Sequence, residues 1–401
     1  MRLFDPDRHE KLQRRAWDAG EAKAVVDRIA RDAIARAHGE AHWPIHELDE
    51  MPGMTEMPKS LYLGAAGVIW ALDYLQFVGA SDIDADWSSA IQALEAEKIP
   101  PGPNWTASPH SYLFGSSSIL LMKWKSARSS AIADSLAEAV SENETDETRE
   151  LMWSSPGTML AALFMYEWTG QDRWADLFRS SAEILWESLE ESKDASCRLW
   201  KQKLYGREFY FLGAVHGFFG NVFPITKGLA LLPESARAAW QREIVRTLTT
   251  TGRVENGLRN WPPLVGSDAM EGFLVQHCHG APGIVVCTAG MPGDTGEEFE
   301  TCLLEAGELV WAAGPLAKGS NLCHGTGGNG YAFLKLFERT GDERWLSRAR
   351  SFAMHAIDQF DAASEQYGQL RYSLWTGDPG LACYLWDCIE AKARFPTMDV
   401  F

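Results

Sequence analysis

Asn321-Leu-Cys-His-Gly-Thr-Gly-Gly-Asn-Gly-Tyr-Ala-Phe-Leu-Lys-Leu-Phe337 is a glycine-rich turn that runs straight into an apolar stretch. Six other stretches repeat the join. They are Gly64-Ala-Ala-Gly67, Gly115-Ser-Ser-Ser118, Ser154-Ser-Pro-Gly157, Gly217-Phe-Phe-Gly220, Gly280-Ala-Pro-Gly283 and Gly377-Asp-Pro-Gly380. The spacing is roughly 40 to 60 residues, the period of helical repeats. Glycine at a helix start lets backbone approach backbone and leaves amides open. The run after each turn is apolar nearly all round, as in Val68-Ile-Trp-Ala-Leu-Asp-Tyr-Leu75. A helix of that kind is buried on every side.

The stretches between the turns are amphipathic. Arg14–Ala37, Ser130–Val140, Trp174–Glu190, Ala236–Leu248, Phe299–Ala312 and Trp345–Phe360 place apolar residues three and four apart with charges between. One face of each therefore meets water. Seven buried inner helices and seven amphipathic outer ones describe an all-α fold, either an α/α toroid (a double-layered helical barrel) or an open solenoid. Clean alternating strands are scarce, and Phe209–Val215, short and isolated, could pass for one. No linker rich in Pro, Gly or Ser divides the chain, so residues 1–401 are expected to form one domain.

Composition excludes several roles. Of 401 residues, 46% are hydrophobic and 23% charged, which is ample for a large core. The formal net charge of −18 offers no basic face for phosphates or anionic lipid, so neither nucleic acid nor a membrane surface is expected as partner. The N-terminus lacks a secretory pattern, and no apolar window of about 18 residues could cross a bilayer. Seven unevenly spaced cysteines suit a reducing compartment, which points to the cytoplasm.

Cys-His-Gly occurs twice, at Cys278 and Cys323, each time at a glycine turn. Thiolates and imidazoles at turn tips read as a zinc site. The two motifs are 45 residues apart, so this is not a zinc finger. A third turn carries Val215-His-Gly217. Cys287, Cys383 and Cys388 lie in apolar runs and read as core, whereas Cys197 and Cys302 belong to no motif.

Cys278-His-Gly-Ala-Pro-Gly-Ile284 and Leu322-Cys-His-Gly-Thr-Gly-Gly-Asn-Gly-Tyr-Ala-Phe-Leu334 resemble the signatures of the lanthionine synthetase C-like family. Asn260-Trp-Pro-Pro263 and the ending Lys392-Ala-Arg-Phe-Pro396 are similar to its eukaryotic-type branch. The resemblance runs through all seven turns and implies the closed toroid. It also implies one zinc per chain, held by Cys278, Cys323 and His324 with a fourth position open. His277 and His279 are adjacent rivals. It implies His216 as acid/base, Glu150 as its acidic companion, and Lys318 as a contact for glutathione.

The implied reaction is Michael addition of a thiol, from glutathione or a peptide cysteine, to a dehydroamino acid, forming a thioether. Three departures bear on the substrate. His277 stands where the family has Trp, and Leu274 stands where the peptide cyclases have Arg. Ser154-Ser-Pro-Gly157 stands where the eukaryotic-type branch has Gly-Arg-x-Gly. Two other readings fit parts of the pattern. One is a zinc and glutathione-binding scaffold without catalysis. The other is a carbohydrate-active α/α barrel, which needs paired carboxylates, and Glu150 has no evident mate.

Overall fold

The computed structural model describes residues 2–39, 42–50, 56–96, 108–204, 206–266 and 272–401. Fourteen α-helices stand among the described residues. In chain order they are α1 (Ala19–Arg36), α2 (Ala65–Phe77), α3 (Ser88–Ala93), α4 (Ser116–Ala127), α5 (Ser130–Asn143), α6 (Ser155–Thr169) and α7 (Asp172–Glu187). Then follow α8 (Phe218–Lys227), α9 (Glu234–Thr251), α10 (Ala281–Thr288), α11 (Glu297–Ala313), α12 (Thr326–Thr340), α13 (Glu343–Tyr367) and α14 (Asp378–Glu390). Every glycine-turn stretch in the sequence leads into an even-numbered helix, and each amphipathic run maps onto an odd-numbered one; the short α3 corresponds to none of these runs.

The burial pattern follows the two sequence types. All eight residues of α10 and nine of the ten in α8 are buried. In α6 the run Ser155–Met165 is buried without a break. By contrast α7 buries only Trp174, Ala175, Phe178, Ser181, Ala182 and Leu185, a single stripe at helical spacing. Asp18 and Asp342 cap α1 and α13 by accepting backbone N–H groups.

The chain divides into two compact units. One comprises Met1–Asp7, Lys98–Ser117 and Asp134–Ala313; the other Arg8–Glu97, Ser118–Ala133 and Gly314–Phe401. In the first, the inner helices α6, α8 and α10 pack side by side, with α7 and α11 laid against them. In the second, α12, α14 and α2 form the inner row, and α13 and α1 cover it. The last inner helix thus lies next to the first, α14 beside α2. An Ala at Gly67 would put its Cβ 2.8 Å from the Cβ of Leu374.

At Gly64 crowding requires glycine. Gly64 has extended backbone that any residue adopts, but a Cβ there would sit 2.1 Å from the carbonyl oxygen of Pro58. The same carbonyl accepts the first helical amide, Ala65 N, at 2.8 Å. The fold-back that satisfies this orphan donor is what leaves no room for a side chain. Asp378 N and Arg371 O repeat the bond at 2.9 Å at the start of α14.

Seven short strands fill connections in the first unit: β1 (Glu190–Glu191), β2 (Arg198–Leu199), β3 (Gln202–Leu204), β4 (Arg207–Phe211), β5 (Arg253–Glu255), β6 (Leu258–Asn260) and β7 (Leu264–Val265). All pairings are antiparallel, with Gln202 opposite Phe209 and Tyr210 opposite Val265. The strand signal at Phe209–Val215 therefore holds only to Phe211. Beyond it Gly213 passes the Cys278 carbonyl so closely that a Cβ would lie 2.3 Å from it, and the chain turns into α8. Among the described residues no helix is long and apolar enough to cross a membrane.

One buried histidine gives stability a pH dependence. His46 is 4% exposed and its Nδ1 accepts the Leu48 amide at 3.2 Å, a bond open only to the neutral ring. Burial first, then the Arg371 charge, holds its pKa below the usual histidine value. The folded state therefore binds fewer protons than the unfolded one below about pH 6.5. Stability contributed by this group is present above that pH and lost as pH falls through the folded value. Urea unfolding between pH 8 and pH 5 should show the decline, and His46→Asn should flatten it. An unchanged slope in the variant would clear His46 of the effect.

Candidate functional site

The seven turns share one build, three turn residues followed by the residue that caps the inner helix. Counting back from that cap, the position one before is Leu63, Phe114, Trp153, His216, His279, His324 and Thr376 in successive turns. Two before stand Tyr62, Leu113, Met152, Val215, Cys278, Cys323 and Trp375. The three histidines thus occupy one register on the fourth, fifth and sixth turns. The two cysteines share the neighbouring register on the fifth and sixth.

A third register explains Glu150. In three of the turns the side chain four before the cap accepts the amide one before it. Ser60 Oγ takes Leu63 N at 3.2 Å, and Asn321 Oδ1 takes His324 N at 3.0 Å. Glu150 Oε2 takes Trp153 N at 2.9 Å. Ser and Asn have one acceptor for this structural duty. Glutamate has two, and Oε1 meets His216 Nδ1 at 2.8 Å. The Glu150 side chain is 0% exposed and that of His216 15%. With the carboxylate ionised, Nδ1–H donates and Nε2 becomes the basic nitrogen. Burial draws the His216 pKa down, but Glu150, and behind it Cys278, outweigh burial and leave it above the ordinary histidine value.

Around Cys278 the first unit is tightly bonded. Gln276 Nε2 donates to Cys278 Sγ at 2.9 Å. The His279 ring lies 5.9 Å from that of His216, centroid to centroid. Asn260 Oδ1 accepts Ala281 N at 2.8 Å, and its Nδ2 donates to Leu274 O at 3.0 Å. Asn260 thereby holds both ends of the segment that carries Cys278. His277 is fully buried, and burial pushes its pKa down to about 3, which makes it a neutral packed ring.

The second unit carries the other Cys-His pair. Tyr62 OH donates to Cys323 Sγ at 2.8 Å, and the Tyr62 ring stacks on Trp375 at 5.6 Å. Trp375 O accepts both Leu322 N at 3.1 Å and Cys323 N at 2.9 Å. Burial first, then the charges of Lys318 and Arg371, bring the His324 pKa down to about 4. Its imidazole is neutral at pH 7, the form that binds a metal. Lys318 is exposed, and its backbone carbonyl accepts Asn321 Nδ2 at 3.3 Å.

The donor types, two thiols and a neutral imidazole, are those zinc takes. Among the described residues no three His, Cys, Asp or Glu side chains are gathered as a metal-binding group. Cys287, Cys383 and Cys388 are buried within α10 and α14 as the apolar runs imply. Sequence reasoning missed Tyr62 and Gln276. Register would have found Tyr62, which stands two before its cap as both cysteines do.

The family profile described as lanthionine synthetase C-like protein matches residues 55–400. The chain belongs to the lanthionine synthetase C-like family. A relative from Danio rerio, glutathione S-transferase LANCL1, is 35% identical over 143 residues, covering 35% of each chain. The LanC-like protein GCL1 of Arabidopsis thaliana is 28% identical over 260 residues, 63% of this chain and 58% of that one. The matched stretches thus span about a third and under three fifths of these relatives. Both are eukaryotic proteins, in line with the branch that the Asn260 and Lys392 motifs resemble. In fold the chain matches nisin cyclase with a TM-score of 0.58 at 13% identity, over 92% of this chain and 98% of that one. That likeness speaks for fold alone, and it bears out the all-α, α/α-toroid class over the open solenoid. Within the family's pattern, the Leu274 position where peptide cyclases carry Arg is anchored here through its backbone to Asn260.

Proposed function

We propose that this lanthionine synthetase C-like protein adds a thiol to a dehydroamino acid of a peptide, forming a thioether, with zinc held by Cys278, Cys323 and His324. Glutathione is the favoured thiol, and a peptide cysteine is the other. The observation that carries the reading is the buried Glu150–His216 pair, which has no structural need of the histidine because Glu150 already caps its own turn.

The residues divide the work. Glu150 fixes the His216 ring and its tautomer. As the thiolate sulfur bonds the acceptor's β-carbon, the C=C electron pair moves to form an enolate, and His216 delivers a proton from Nε2 to the α-carbon. The proton lost by the thiol restores the imidazolium. Zinc, when bound, supplies a lower thiol pKa and a fixed sulfur position. Lys318, exposed and cationic, suits a carboxylate of glutathione. A reducing cytoplasm goes with this reading, since the cysteines are unevenly spaced along the chain.

The test is a dehydroalanine peptide incubated with glutathione, the adduct followed by mass spectrometry. The protein should form it well above the buffer rate. Rates equal to buffer across several thiols and acceptors would remove catalysis. The scaffold reading would then stand, with glutathione binding by calorimetry as its measure.

A further inference from the structure

Both proposed cysteine ligands accept a hydrogen bond at sulfur. Tyr62 OH reaches Cys323 Sγ at 2.8 Å, and Gln276 Nε2 reaches Cys278 Sγ at 2.9 Å. In this amide orientation Gln276 donates and the sulfur accepts, because an amide nitrogen has no lone pair to receive an S–H. Sulfur accepts better as it gains negative charge, and a donor aimed at it stabilises that charge.

The two donors are placed by unrelated means. Tyr62 comes from the first turn, is stacked on Trp375, and has its carbonyl bonded by Trp375 N at 3.3 Å. Gln276 lies within the turn of Cys278 itself. A reciprocal backbone pair clamps it, Gln276 N to His279 O and His279 N to Gln276 O, both at 3.1 Å. Its Oε1 is buried with no hydrogen-bond partner among the described residues. A glutamine present only for packing would gain by satisfying both ends of its amide. Here one end is left without a partner while the other is held on sulfur.

We propose that Tyr62 and Gln276 are positioning residues for the metal centre, each orienting one cysteine sulfur and holding part of its charge through a direct hydrogen bond. The inference rests on the zinc reading above. Each residue acts through its cysteine and touches neither metal nor substrate. Outer partners of metal ligands fix ligand direction and tune its donor strength.

The test uses the full-length protein with Tyr62→Phe and Gln276→Met, which keep size and remove the donor. Zinc affinity is measured by competition with a chelator of known strength. Each variant should bind zinc about 10-fold more weakly or worse. Cobalt replacing zinc gives a second readout, the sulfur-to-metal charge-transfer band. Losing a donor raises the energy of the sulfur lone pairs, so the band should move to longer wavelength in each variant. A purely structural role would leave this band in place. Either residue leaves the assignment if its variant matches the parent in both affinity and band. A parent protein that takes up no zinc would overturn the zinc reading itself and this inference with it.

Discussion

Cys323→Ala should lose zinc and, with it, catalysis, while the helices stay folded. Removing an outer partner of a ligand typically costs about 10–100-fold in metal affinity, so removing a thiolate ligand should exceed about 100-fold. Cys323 contributes little to the fold that alanine would not replace. Its amide, bonded to Trp375 O, survives the change, and its turn is built from glycine contacts and from Asn321. Metal analysis beside circular dichroism checks both halves of the statement. A full complement of zinc in the variant would refute the ligand set, and a collapse of helicity would make Cys323 structural.

His216→Ala should keep its zinc and slow thioether formation by about 10²-fold to 10⁴-fold, the range general acid–base groups supply. The effect should fall on kcat more than on KM, because the proton moves only after the thiol has added. Glu150→Gln should lie between parent and His216→Ala, since the amide can still cap Trp153 N but no longer balances a charged ring. Zinc lost from His216→Ala would make the histidine a ligand. Parent-like turnover would reduce it to a packing residue of the fourth turn.

The two predictions reach different depths of legibility. Cys278, Cys323, His324 and His216 stand out in the sequence because chemistry-bearing residues recur beside glycine pairs. The role of Glu150 comes only through the family resemblance, because a glutamate 66 residues from its histidine is by itself one acid among many. Its meaning depends on the spare oxygen left after it caps Trp153, and that is a three-dimensional fact. Register marks the position of Tyr62 in the sequence but not its bond to Cys323. A tyrosine in an apolar turn looks like core until the first turn is seen bonded to the sixth.

By itself the sequence determined the helical class, the seven turns and the two kinds of helix, because glycine spacing and apolar periodicity are local properties of the chain. It also bounded the chemistry by placing imidazoles and thiols at two neighbouring registers of the turns. Tertiary structure alone decided that α14 packs beside α2, that the strand signal at Phe209 stops at Phe211, and which donors reach the cysteine sulfurs. Those outcomes depend on residues up to hundreds of positions apart being brought within hydrogen-bond distance, and no local pattern encodes which of them meet.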